Sequence, residues 1–287
     1  MTSRSRGVLL VAGAATCWSS GALIARLVST DPWTTTLWRS VFSGAFLITV
    51  VALVERRGVF AQWRTIGWPG LGIAACMAAA STCFILSLSR TSVANTLILM
   101  SVGPWATGLL GWLLLGERVR PRTWLTMGVA VAGVVVMVSG SRAPGRLVGD
   151  ALAIAMACVF ALATVLVRRH PHIQMTPAAG LSAVLAALVA LTMAAPLAVA
   201  PRDLALLALF GIAQFGVGFL LFMAGARLLP AAETSLIGMV EMVLGPLWVW
   251  LALGESVGVR SLVGGGVIVA ALAAHTVLDL TVSKARR

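Results

Sequence analysis

Trp112-Leu113-Leu114-Leu115-Gly116-Glu117 recurs as Trp250-Leu251-Ala252-Leu253-Gly254-Glu255, 138 positions further along the chain. Each copy closes a long apolar run. Such a duplication within a run of hydrophobic segments implies two similar halves, an arrangement that encloses a central path in many membrane carriers. The halves are expected at 1–142 and 147–287, with the Pro- and Gly-containing stretch at 140–149 as the seam between them.

The surrounding composition gives these runs their environment. Apolar residues make up 60% of the chain, charged residues 10%, and mean hydropathy is +1.00. A soluble domain is about half apolar and about a quarter charged. The apolar excess extends along all 287 residues, which have room for about ten spans of roughly 20 residues. An all-α integral membrane protein with ten transmembrane helices is therefore expected. The spans fall near Val8–Val28, Trp33–Val54, Gly67–Leu88, Val93–Leu115, Trp124–Ser139, Gly149–Val167, Pro177–Ala198, Leu204–Ala224, Ala231–Leu253 and Ser261–Leu280. Arg4 and Arg6 before an apolar run resemble a signal peptide. The run continues to about Val28, however, so it is read as a retained first helix.

The net charge of +12 is spread between apolar runs instead of forming one basic face, which argues against a nucleic-acid partner. Its distribution sets orientation. With the N-terminus inside, fourteen Lys and Arg residues flank the spans on the cytoplasmic side and six on the other, with Arg39 inside a span. Both termini are then cytoplasmic. An odd number of spans per half makes the second copy enter the membrane in the opposite sense, an inverted 5+5 repeat suited to alternating access.

Charges deep in a span are costly and face a cavity or a partner. Glu241 lies about ten residues from either end of its span, roughly 15 Å deep. It can hold an ammonium group, exchange a proton or pair with an arginine. Glu233, near the start of the same span, fits a helix-capping role. Asn95, its counterpart in the first half, caps a helix or lines a mouth. Arg39 is within snorkelling reach of a surface, as an anchor or as a substrate contact. Trp18, Ser19, Ser81, Ser101, Trp105 and Gln214 complete the candidate pathway, and Pro104 and Pro246 are candidate hinges. Small hydroxyls also bond their own helix backbone, so each Ser has a purely structural reading. Cys17, Cys76, Cys83 and Cys158 lack metal or redox spacing, and no hydrolase or nucleotide-binding motif is present; no metal, cofactor or enzymatic activity is expected.

Pro104 through Gly116-Glu117, together with Val240-Glu241-Met242-Val243-Leu244-Gly245-Pro246-Leu247-Trp248 through Gly254-Glu255, resemble the paired signature of the drug/metabolite transporter superfamily, and within it the EamA-type ten-helix branch. Trp38-Arg39-Ser40 is similar to the Arg-containing segment of the first half there. Met242 stands where a Pro often follows the Glu. The resemblance implies a multi-pass protein of a bacterial-type inner membrane that carries a small-molecule substrate through a central cavity. One midplane carboxylate, neutral hydrogen-bonding groups and deep indoles suit an amino acid better than a phosphorylated sugar. Export of amino acids follows from the resemblance to exporters of that family. A drug-cation or other metabolite carrier of the same superfamily and, in a different class, a passive channel or structural membrane protein are the alternatives.

Overall fold

The computed structural model describes residues 3–54, 66–91, 96, 99–139, 147–171, 173, 175–195, 199–254 and 259–285. Every regular element among them is helical. In order these are α1 (Ser3–Ser19), α2 (Gly21–Leu27), α3 (Pro32–Val54), α4 (Gly67–Arg90), α5 (Gly103–Leu115), α6 (Pro121–Val138), α7 (Leu147–Arg169), α8 (Met175–Leu191) and α9 (Pro201–Leu209). A π-helical segment (Phe210–Val217) follows, then α10 (Gly218–Ala226), α11 (Ala231–Gly238), α12 (Val240–Leu253) and α13 (Val259–Ala285). Six stretches among the described residues are long and apolar enough to cross a membrane, and three shorter apolar helices accompany them.

Local chemistry explains where the helices start and stop. Prolines occupy the opening positions of α3, α5, α6 and α9, where a missing N–H costs nothing. Before α3, Asp31 accepts hydrogen bonds from the N–H groups of Trp33 (2.9 Å) and Thr34 (3.0 Å). Partial burial works against its charge, but the bonds from Thr34 and Trp33 outweigh it and hold the carboxyl below its ordinary value. The duplicated motif has a conformational basis. Gly116 and Gly254 both take φ +67°, the left-handed end of a helix that glycine adopts without a steric penalty. Each donates its N–H back to the tryptophan that opens the motif, at 3.0 and 2.9 Å. Glu255 lies outside the described residues.

The helices pair in a pattern that survives exchange of the two halves. α4 runs along α7 as α1 runs along α10, while α3 packs on α8 and α6 on α13. In lipid no hydrophobic drive favours helix over tail, so close packing must hold these seams. Small residues make it possible. A side chain at Gly225 would lie 2.7 Å from Val11, one at Gly133 2.9 Å from the Gly264 carbonyl, and one at Gly211 2.4 Å from the Arg39 carbonyl. Phe219, Phe222, Leu47, Ile73 and Ala14 fill one core, and Met127, Leu236, Met239 and Ile268 another.

Among the described residues, three helices that the hydrophobic pattern presents as continuous are broken. Ser20 interrupts the first span between α1 and α2, where the hydroxyls of Ser19 and Ser20 bond back to Thr16 and Cys17 carbonyls at 2.6 and 2.8 Å. Ser101 and Val102 form a turn before α5, because Pro104 has no N–H to give the Met100 carbonyl. Met239 separates α11 from α12, with shortened bonds from Met239 to Leu236 and from Met242 to Met239. Met239 is the counterpart of Ser101 at the motif spacing, so both halves break at one position although only the first has a proline there. α12 runs without interruption past Pro246, whose side chain lies outside the described residues.

Adding one methyl group tests the tightest seam. Gly211→Ala is expected to cost about 1–3 kcal/mol through overpacking. Gly266→Ala, whose new side chain would meet nothing within 4 Å, is expected to leave thermal stability within about 0.5 kcal/mol. Melting of both purified variants in one detergent checks the contrast.

Candidate functional site

The breaks at Ser20 and Met239 and the π segment meet around the end of α1. α12 packs on α1 and α2, and the π segment packs on α1, α2 and α3. On α12, Glu241, Gly245 and Trp248 share one helix face by their spacing. Trp248 donates its indole N–H to the Ser19 hydroxyl at 2.7 Å, and a side chain at Gly245 would lie 3.7 Å from the Ser19 carbonyl. Glu241 therefore lies on the face turned toward α1, in the first turn of α12, half-buried. The amide groups exposed by the break favour a carboxylate there.

Trp18 sits one residue before Ser19. Its ring packs edge-on to Phe160, with centroids 5.5 Å apart, and tilted against Phe222 at 5.1 Å. Gly218 makes room for it: a side chain there would come within 2.6 Å of the Trp18 Nε1. The Trp18 carbonyl accepts a hydrogen bond of 3.2 Å from the Gln214 side-chain amide in the π segment. Gln214 is 5% exposed. Trp18 Nε1, Gln214 Oε1 and Arg39 Nε are all buried without a hydrogen-bond partner. Such atoms are expensive in a low-dielectric setting and cluster where something else is meant to bind.

Arg39 and Ser81 form the next part of the site. The Arg39 guanidinium donates to the Ser81 hydroxyl and, at 3.3 Å, to its carbonyl. Its Cζ stands 5.1 Å from the Phe210 ring centre and 5.0 Å from that of Phe215. Of the pathway residues expected from sequence, Trp18, Ser19 and Gln214 thus share one bonded region. Ser81 joins it through Arg39, and Glu241 through the α1-facing side of α12. Ser101 is buried at the break before α5. Trp105 points elsewhere, tilted against Trp124 with ring centroids 4.9 Å apart and 39% exposed. Asn95 lies outside the described residues. Phe210 and Phe215 enter the site without having been singled out. Trp248 carried a signal in the sequence, as an indole deep in a span and in need of an acceptor.

At one end of the bundle the halves are tied by charge. Glu117, just past the first left-handed cap, accepts from Arg168 Nε at 3.1 Å and from the Ala231 N–H that opens α11 at 3.2 Å. Arg168 also donates to the Arg227 carbonyl at 2.7 Å, and Arg4 pairs with Glu233 at 3.0 Å. Glu233 thus serves as an ion-pair partner at the start of α11. Separately, an apolar groove of about 540 Å³ runs between α3 and α8, with Trp38, Gly44 and Leu188 in its walls. It lies on a different side of α3 from the Gly211 seam.

Comparison with known proteins assigns this architecture. A solved structure described only as "Crystal structure of protein" superposes with a TM-score of 0.83 at 21% identity, covering 96% of this chain and 98% of that one. That likeness speaks to the fold alone. No curated protein matches the sequence. The profile of the EamA-like transporter family matches twice, over residues 5–139 and 147–276. With both halves matched around the duplicated motif, the chain belongs to the EamA-like transporter family.

Proposed function

We propose that the protein is a secondary carrier that moves amino acids, including apolar and aromatic ones, out of the cell by alternating access. In this reading ten helices form an inverted repeat of residues 1–142 and 147–287, both termini are cytoplasmic, and the membrane is a bacterial-type inner membrane. The observation that carries the proposal is the matched interruption at Ser101–Val102 and at Met239, one in each copy of the repeat. Breaks at equivalent depth let each half bend at the same level, as an exchange of shapes between halves requires. The second break also presents Glu241 beside α1, where a carboxylate can receive an ammonium group. Indole and phenyl rings around Trp18 supply an apolar setting for a side chain. Glu117 and Arg168 tie the two halves at the end that the charge bias makes cytoplasmic, and their separation would open that face.

Counterflow in proteoliposomes tests the proposal. Unlabelled internal L-phenylalanine or a small neutral amino acid is expected to accelerate uptake of its labelled counterpart, and a broad amino-acid panel without any trans-acceleration would count against it. Glu241→Gln is expected to slow amino-acid exchange by about tenfold or more, the scale of losing one charge-assisted contact. If the variant lost only cationic drugs and kept amino acids, the drug-cation reading would replace this one.

The Trp248–Ser19 bond provides a further check of the site. Trp248→Phe and Ser19→Ala each remove the same hydrogen bond, worth about 1 kcal/mol or about fivefold in exchange rate. Because both act on one contact, the double variant is expected to be no slower than the worse single one. Additive losses would indicate that the two residues act separately.

A further inference from the structure

Arg39 lies seven residues inside α3, roughly 10 Å from its Pro32 end. A snorkelling arginine would stretch its head toward that end. Here the head turns inward: the residue is 2% exposed and is held by Ser81 on α4 and by two rings of the π segment. No carboxylate pairs with it among the described residues. Five of the acidic groups placed by the structure are engaged elsewhere: Asp31 with the start of α3, Asp150 with Thr91, Asp203 with Ser29, Glu117 with Arg168 and Glu233 with Arg4. Glu241 lies on the α1-facing side of α12 and forms no ion pair with Arg39. A fixed cation in so apolar a place is costly unless an anion visits it.

The π segment is what assembles the place. In an α-helix, residues five apart point about 140° away from each other, since each residue turns the chain by about 100°. The wider π turn, with its bonds five residues apart, brings Phe210 and Phe215 onto the same side, so both rings face one guanidinium. Gly211, lying between them, allows the segment to touch the Arg39 backbone. The segment also carries Gln214, whose Oε1 is an unused acceptor, and it abuts Trp18, whose Nε1 is an unused donor. Unused donors at Arg39 and Trp18 suit a carboxylate. An unused acceptor at Gln214 suits an ammonium group.

We infer that the Arg39 guanidinium, framed by Phe210 and Phe215 and assisted by Trp18 and Gln214, is the subsite that receives the carboxylate of the transported metabolite. This rests on the carrier reading above and narrows its substrate class to monocarboxylates with an apolar neighbour. Ser81 acts as a positioning residue that aims the guanidinium. The packed seams around the subsite part during the transport cycle, and the carboxylate then replaces the missing partner of the Arg39 Nε.

Ligand-induced thermal stabilisation of the full-length purified protein tests this with three probes sharing a ring: L-phenylalanine, 3-phenylpropionate and phenethylamine. The two acids are expected to bind the wild type, and Arg39→Gln to weaken both by about tenfold or more while moving phenethylamine by less than about threefold. Arg39→Lys keeps the charge but loses the fork geometry, so it should give an intermediate loss for the acids only. It supplies the test if Arg39→Gln does not fold. Equal losses for acid and amine probes would mean that Arg39 only holds the fold, and acids that failed to bind the wild type at millimolar concentration would also overturn the inference. Binding of 3-phenylpropionate through Arg39 without counterflow of any amino acid would sustain the subsite and remove the amino-acid reading.

Discussion

A backbone amide inside a bilayer has no water to bond with, so every break in a helix must be covered by protein. This constraint organises the molecule. The breaks at Ser20 and Met239 and the π segment at Phe210–Val217 lie where α12 and the π segment pack on α1 and α2. Hydroxyls of Ser19 and Ser20 satisfy carbonyls at the first break, and the indole of Trp248 spans from α12 to Ser19. At these places the irregular backbone lies against neighbouring helices, and with it the polar groups that regular helices would have no use for.

The seams that surround this interior depend on closeness more than on apolar burial. Gly225 against Val11, Gly218 against Trp18 and Gly211 against Arg39 each admit a neighbour at a distance that a side chain would forbid. A bundle held in this way has many contacts of small individual worth. The charged ties at Glu117 and Glu233 sit at the ends of helices, where partial hydration limits their energy to a modest contribution.

Much of the architecture was legible in the sequence because its determinants are repetitive. The two Gly-Glu elements mark helix ends, and their glycines take one and the same left-handed conformation. The hydrophobic runs gave the helices, and membrane passage follows from their length and from the family. The breaks were less legible. Pro104 announces the one before α5, but Met239 breaks without a proline, and Pro246 sits in unbroken helix. The site was partly legible for the same reason. Trp18, Ser19 and Gln214 stood out as polar groups in apolar runs, and they are bonded neighbours. The partnership of Arg39 with Phe210 and Phe215 was hidden, because it needs a helical turn of unusual width, which side-chain periodicity does not reveal. Trp105 looked equivalent to Trp18 by depth, yet it packs tilted against Trp124 toward the outside; depth along a helix does not specify its direction around the helix.

The π segment also bears on how such a carrier can diverge. A widened turn is what a helix adopts when one residue too many must fit between two fixed ends. Removing one residue from Phe210–Val217 would let the α-helical register close and rotate everything on one side of the deletion by about 100°. Gln214 and one of the two phenyl rings would leave the interior together, while Gly116 and Gly254, far along the chain, would keep their caps. A single-codon deletion could therefore exchange one interior surface for another without disturbing the two left-handed helix ends of the repeat.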